Sequence, residues 1–280
     1  MIYYAFPKIL PRWRKVFPMI EFMKQTARQA GAIALADMMR LDASAVHTKA
    51  TAFDLVTDTD RKVERFITER IAAFCPEAGV YGEETGKNHA EREFCFIIDP
   101  IDGTASFVHH LPNWCVSIGL YRNGKPFAGV VYQPTAGSLY YAESGKGAFL
   151  NGVRIHVSSF TSLGDAIVGT GFSCLRAQWK EENNLRFFSR IAPLVSDVRK
   201  YGSAALDCCN VANGSFSAFW ELFLQPYDIA AGLLIAKEAG AVVTDLFGGE
   251  DYPECGFLCG SDAIVRALLP FFHDYKHRKC

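Results

Sequence analysis

The chain has 280 residues, 50% of them hydrophobic and 21% charged, enough to bury a large core as one domain or two compact halves. A formal net charge of −1 offers no basic face for nucleic acid or a membrane surface, and no apolar run reaches the ~20 residues a membrane helix needs. The 9 cysteines lack paired zinc spacing and read as free thiols of a reducing cytoplasm.

Residues 1–18, MIYYAFPKILPRWRKVFP, place their basic residues after the apolar part and show no small-residue cleavage site. They do not read as a signal peptide and are set aside as an extension without assigned function. From Met19 to about Leu41 apolar residues recur at helical spacing and predict a long amphipathic helix. Lys49 to Phe53 reads as a loop. The string Asp54 to Asp60, DLVTDTD, leads into a second helix to about Cys75, with Val63, Phe66, Ile67 and Ile71 as its apolar residues. Thr57 or Thr59 would cap that helix, and first-turn acids such as Asp58 and Asp60 are expected there on local grounds alone.

A short apolar run ending at Tyr81 is followed by Gly82-Glu83-Glu84. Another, Phe94 to Ile98, runs directly into Asp99-Pro100-Ile101-Asp102-Gly103-Thr104. Acids thus stand in pairs just past two predicted strands. Converging carboxylates repel, and burying them uncompensated costs several kcal/mol each. The pattern therefore implies a cation, and carboxylate oxygens completed by a backbone carbonyl and water suit Mg2+. Pro100 restricts Asp99 to extended geometry, so Asp99 and Asp102 can face one space with the carbonyl of Ile101 between them. Gly103 permits close backbone approach, and Thr104 can open a helix whose free N–H groups face an anion. Together these make a phosphate site. An isolated D-x-x-D is usually an acidic turn with a helix cap; the full hexapeptide DPIDGT is far more specific.

After Thr104, the segments Trp114 to Tyr121, Phe127 to Tyr132 and Ser138 to Ala142 predict strands of an antiparallel meander, making the first half α+β. Glu143 to Gly147, ESGKG, is a turn and not a phosphate loop, because Tyr140 occupies the first glycine position and Gly147 the Ser/Thr position. His109 and His110 read as loop surface. From about Ser158 the texture changes. Apolar Ala166 to Gly169, helix Lys180 to Ile191, apolar Leu194 to Val198 and helix Ala204 to Asn213 follow one another. Then come Phe216 to Trp220, helix Ile229 to Ala239, strands Ala241 to Thr244 and Phe257 to Cys259, and a last helix. This alternation predicts an α/β half, and the chain is divided into 19–155 and 156–280. In Gln225 to Gly232, QPYDIAAG, a Pro and an Asp open an Ala-rich helix, so capping alone would account for Asp228.

GEE followed by DPIDGT, with DLVTDTD upstream and PYDIAAG downstream, resembles the inositol monophosphatase family of Mg2+-dependent, lithium-sensitive phosphatases, from about Met19 to the last helix. The resemblance implies a layered αβαβα sandwich of the sugar-phosphatase kind. It implies one Mg2+ held by Glu83, Asp99 and the Ile101 carbonyl and a second held by Asp99, Asp102 and Asp228, with Glu84 acting through a water or on a third ion. Asp60 would pair with Thr104 to orient the attacking water, and Lys49 stands at the family's distance upstream. Glu221 would contact a ring hydroxyl of the substrate. The loop Arg199 to Ala204, RKYGSA, with Ser203 and Ala204, would contact substrate beside Asp102, Gly103 and Thr104. An exposed strand-end acid and a helix-capping serine are the local alternatives for Glu221 and Ser203. Tyr227 replaces the usual Trp, and Ser106 a frequent Asn. The implied reaction is hydrolysis of a small-molecule phosphate ester, inositol 1-phosphate foremost. Fructose 1,6-bisphosphate, nucleotide 3′-phosphates, histidinol phosphate and NADP are the substrates of relatives. A non-catalytic regulatory protein of the same fold is the competing class. The expected setting is a cytoplasmic homodimer that binds neither nucleic acid nor membrane.

Overall fold

The computed structural model describes residues 19–41, 46–48, 55–177, 180 and 183–276. Helices α1 (Met19–Met38) and α2 (Asp58–Phe74) flank an antiparallel pair, β1 (Val46–Thr48) with β2 (Leu55–Thr57). Each helix buries one stripe: Met23, Ala27, Ala30 and Ala34 in α1, Val63, Ile67 and Ile71 in α2. The pair of helices covers one face of an eight-stranded sheet. Its strands are β3 (Gly79–Gly82), β4 (Gly86–Asn88), β5 (Phe94–Asp102), β6 (Cys115–Arg122), β7 (Lys125–Gln133), β8 (Ser138–Glu143), β9 (Ala148–Leu150) and β10 (Val153–Ile155), in the order β10-β9-β8-β7-β6-β5-β3-β4. The expected meander is present from β5 to β10, while β3 runs parallel to β5. The short helix α3 (Thr104–Val108) leaves the end of β5.

The remaining elements are β11 (Ile167–Thr170), α4 (Ser173–Arg176), α5 (Leu185–Ile191), β12 (Asp197–Arg199), α6 (Ala204–Ala212), β13 (Ala218–Glu221), α7 (Pro226–Glu238), β14 (Val242–Thr244), β15 (Phe257–Gly260) and α8 (Asp262–Leu268). Their five strands form a mixed sheet, β12-β11-β13-β15-β14, in which β11 runs parallel to β12 and β13 while β15 is antiparallel to its neighbours. Helices α6 and α7 lie between the two sheets. Ala205, Leu206, Ala231 and Leu234 pack against Cys115, Val131 and Tyr140 of the first sheet. Cys208, Val211, Leu233 and Ala236 pack against Phe219, Phe257 and Cys259 of the second. Phe187 and Ile191 of α5, with Ile264 and Val265 of α8, close the outer face of the second sheet. The order of layers is the αβαβα sandwich implied by the resemblance.

Close approach of α7 to the first sheet depends on two glycines. A Cβ on Gly119 would lie 2.8 Å from Ala230 Cβ, and one on Gly129 would lie 2.8 Å from the carbonyl oxygen of Ala231. Small residues on both sides let the helix sit low on the strands and bring its N-terminus to the end of β5.

Several expectations are corrected. The helix predicted from Lys180 begins at Leu185. Asn184 is fully buried, donates to Thr170 Oγ1 and to the Gly171 carbonyl, and accepts from Trp220 Nε1, which anchors the chain just before the helix. The strand predicted from Leu194 begins at Asp197, after a 3-10 turn over Ala192–Leu194. Among the described residues seven cysteines are buried free thiols as expected, but Cys255 is disulfide-bonded. His109 and His110 are exposed. ESGKG is the expected turn, its Gly145 and Gly147 amides donating to the Glu238 carboxylate. Lys49 lies outside the described residues. Among the described residues no helix is long and apolar enough to cross a membrane.

Candidate active site

The acids at the end of β5 are turned to one side by an irregularity in the ladder. Asp99 pairs with Ser117 and Asp102 with Cys115, so three steps along β5 match two along β6. In a regular strand residues three apart point to opposite faces; the bulge at Pro100 removes that opposition. The Ile101 amide donates to Asp99 Oδ1 at 3.1 Å, and Thr104 Oγ1 donates to the Ile101 carbonyl at 3.2 Å. Parallel pairing of Gly82 with Ile98 carries β3 alongside, and the Glu83 amide donates to the Ile98 carbonyl at 3.1 Å. Glu83 is thereby set next to Asp99.

The central helices supply the other side. Ser203 caps α6, accepting from the Leu206 amide at 3.2 Å. Its hydroxyl donates to Asp102 Oδ2 at 2.6 Å, and the Ala205 amide donates to the same oxygen at 2.7 Å. In α7, Asp228 closes a capping box, its Oδ2 accepting from the Gln225 amide at 2.6 Å. Capping and ligation are compatible, because a carboxylate carries about four acceptor sites on two oxygens. Asp99, Asp102 and Asp228 each offer an oxygen, and the three oxygens lie within 4.8 Å of one another.

Burial, then the charges of Glu83, Asp102 and Asp228, hold Asp99 well above the usual carboxylate range. Burial and Asp102 do the same to Asp228. Asp102 is pushed up to about 7 by burial, which outweighs its bonds from Ser203 and Ala205. Charge that is costly to gather in this way is relieved by a cation, and an all-oxygen donor set suits a hard divalent ion. The residues present fit Mg2+.

The acids open onto a cavity of about 80 Å3, against the roughly 10–15 Å3 that one water requires. Gly103, Thr104 and Ala105 line it together with Glu83, Asp99, Ile101, Asp102 and Asp228. An adjoining cavity shares Asp102, Arg176, Gly202 and Asp228 and adds Ser173, Lys200, Ala204, Glu221 and Leu224. Glu221 is not an exposed acid: it is 5% exposed, and its Oε1 accepts from the Ser173 amide at 2.9 Å and the Ser173 hydroxyl at 2.7 Å. Arg176 in turn donates to that hydroxyl at 2.7 Å.

Asp60 is buried in the first turn of α2 and is not among the residues lining the cavities, and the Thr104 hydroxyl is directed to Ile101. Arg199 is paired with Asp197 on β12, while its neighbour Lys200 lines the second cavity. Ser203 is buried and its hydroxyl is engaged by Asp102 and Leu206. The Glu84 amide donates to Glu64. Both departures are accommodated: Tyr227 meets Tyr81 edge-on at 5.8 Å, and Ser106 donates to the Tyr201 carbonyl at 3.5 Å. Sequence reasoning missed Arg176 and Glu64, and named Lys200 only as part of the loop Arg199 to Ala204. Only Glu64 left a signal, a charged residue beside Val63 and Ile67 on the buried stripe of α2.

A family model described as inositol monophosphatase family matches residues 16–276. The chain belongs to the inositol monophosphatase family. An inositol-1-monophosphatase of Mesorhizobium japonicum is 38% identical over 253 residues, covering 90% of this chain and 94% of the relative. A protein of Pseudomonas aeruginosa named Nus factor SuhB is 36% identical over 257 residues, covering 90% and 94%. The crystal structure of the extragenic suppressor protein suhB from Bartonella henselae superposes with a TM-score of 0.85 at 35% identity, covering 92% of this chain and 99% of that one. Membership makes this chain a phosphomonoesterase.

Proposed function

We propose that the protein is a Mg2+-dependent phosphomonoesterase whose first substrate is inositol 1-phosphate, with the metal centre at Asp99, Asp102 and Asp228. The observation that carries the reading is the convergence of three buried or part-buried carboxylates, from β5 and α7, within 4.8 Å. The centre draws on both proposed halves, Glu83, Asp99 and Asp102 from 19–155 and Asp228 from 156–280.

Glu83, Asp99 and the Ile101 carbonyl would hold one ion, and Asp99, Asp102 and Asp228 a second. Bound there, Mg2+ would supply Lewis acidity to activate a water and to neutralise charge on the leaving oxygen. The protein's own part is positioning. Ser203 and the Ala205 amide fix Asp102 at 2.6 and 2.7 Å, so this ligand needs no reorganisation during turnover. Gly103 to Ala105 line the space for the phosphoryl group. Thr104 and Asp60 orient the water, which requires the Thr104 hydroxyl to turn from Ile101 once substrate is present. Glu221, held by Ser173, presents its carboxylate to a hydroxyl of the leaving group, with Arg176 and Lys200 beside it. The same geometry suits the other sugar and nucleotide phosphates named above. A homodimeric assembly, lithium sensitivity and a cytoplasmic location follow from the resemblance.

The test is phosphate release with Mg2+ from a panel holding inositol 1-phosphate, fructose 1,6-bisphosphate, a nucleotide 3′-phosphate, histidinol phosphate and NADP. Asp99→Asn is expected to lower kcat on the order of 10³-fold with the fold retained, since it removes a ligand shared by both ions. Near-normal turnover in that variant would sink the metal assignment. A folded wild type silent toward every ester would favour the regulatory class instead.

A further inference from the structure

Outside the acids that line the cavity, one buried carboxylate is bonded to the turn that carries Glu83. Glu64, on α2, is fully buried. Its Oε2 accepts from the Glu84 amide at 2.8 Å. Its Oε1 accepts from the Thr85 amide at 2.9 Å and the Thr85 hydroxyl at 2.6 Å. Both oxygens are thus spent on the two residues immediately after Glu83. Gly82, on the other side, is shaped to this carboxylate: a Cβ there would lie 2.3 Å from Glu64 Oε1. Three bonds and complete burial leave the glutamate nowhere to retreat, so the close approach requires glycine.

We infer that Glu64 is a positioning residue for the metal centre, clamping the Glu83–Thr85 turn so that the Glu83 carboxylate stands ready beside Asp99. This rests on the proposed metal centre. The geometry has a second consequence. Asp60 and Glu64 are one helical turn apart and both buried on α2, so one rigid helix carries the acid assigned to the water and the acid that holds the Glu83 turn. Hydrogen bonds to a charged acceptor are the strong ones, and three on one carboxylate make a stiff clamp. Without it the turn is free to sample positions in which Glu83 is not a ligand, and the ion's apparent affinity falls by the fraction of time the ligand is in place.

Glu64→Gln keeps the volume but sets an NH2 group against donors. It is expected to raise the Mg2+ concentration for half-maximal activity at least tenfold, with kcat restored toward wild type at saturating Mg2+. Calorimetric Mg2+ titration of the protein without substrate should show the same loss. The control is Ile67→Ala, a buried residue of the same helix, which should lower Tm without moving Mg2+ affinity. Gly82→Ala should reproduce the metal phenotype, and Gly82→Ala combined with Glu64→Ala should be less than additive, since the second change removes the atom the new methyl meets. Wild-type Mg2+ affinity in a folded Glu64→Gln protein, or strict additivity in the pair, would overturn the inference. A wild type that itself neither binds Mg2+ nor hydrolyses any ester would instead condemn the proposed metal centre, so the two failures are distinct.

Discussion

Removing the hydroxyl of Ser203 separates the roles it combines. Its oxygen donates to Asp102 at 2.6 Å and accepts from Leu206 at 3.2 Å as the cap of α6. A bond to a charged acceptor contributes about 1.5–3 kcal/mol, and a lost serine cap costs about 1 kcal/mol. Ser203→Ala is therefore expected to destabilise the metal-free protein by about 3 kcal/mol at pH 8, where Asp102, pushed up to about 7, carries its charge. The same bond lowers the Asp102 pKa, so losing it strengthens proton binding at the oxygens proposed to hold Mg2+. The acid limb of activity at subsaturating Mg2+ should move up by roughly one pH unit. Urea unfolding without metal and a pH–rate series at fixed Mg2+ read the two effects separately. An unfolding free energy within about 0.5 kcal/mol of wild type, together with an unmoved acid limb, would refute the account of Ser203 as the brace of Asp102.

Metal removal should make stability depend on pH in an unusual sense. Asp102 moves from an ordinary 3.8 to about 7 on folding, so between those values the native state binds more protons than the unfolded one, and stability falls as pH rises through the window. That fall is on the order of 4 kcal/mol from Asp102 alone, and excess Mg2+ should flatten it; a metal-free protein that gains stability from pH 4 to 7 would contradict burial as the cause of the raised Asp102 pKa. Arg176→Ala and Lys200→Ala act in the second cavity, so each should raise KM about tenfold while leaving kcat within about threefold, a split that steady-state kinetics checks directly. An equal fall in kcat would move these cations to the reacting phosphate.

What could be read from the chain followed from local chemistry. The meander was legible because period-two patterning and turn residues encode each hairpin within a few positions. Helices α1 and α2 announced themselves by their apolar stripes. DPIDGT announced an acid-lined turn because Pro and Gly leave the backbone so few choices. The bulge that turns Asp99 and Asp102 to one face was not legible, since it is a register shift against β6 and involves both strands. The start of α5 was displaced by Asn184, whose partners Thr170 and Trp220 lie 14 and 36 positions away in sequence. Arg176 carried no mark at all; it becomes interesting only when Ser173 binds Glu221, a contact across 48 positions.

Asp228 shows why local and functional explanations of one residue need not compete. Its capping box starts α7 on local grounds, and that same bond fixes the side chain's rotation, leaving further acceptor sites to meet Asp99 and Asp102. Ser203 repeats the pattern at the start of α6, where a cap hydroxyl also holds Asp102. Both helices of the central layer thus direct a terminus at the end of β5, and both can do so only because small residues let them settle against the sheet and each other. Gly119 and Gly129 admit α7 to the first sheet, and a Cβ on Gly232 would lie 2.7 Å from Cys208 Cβ on α6. Packing at that distance is rigid, since a methyl group at any of the three would push a helix away. The carboxylates are therefore gathered by the middle of the core, and the stability of that layer is what sustains their close approach.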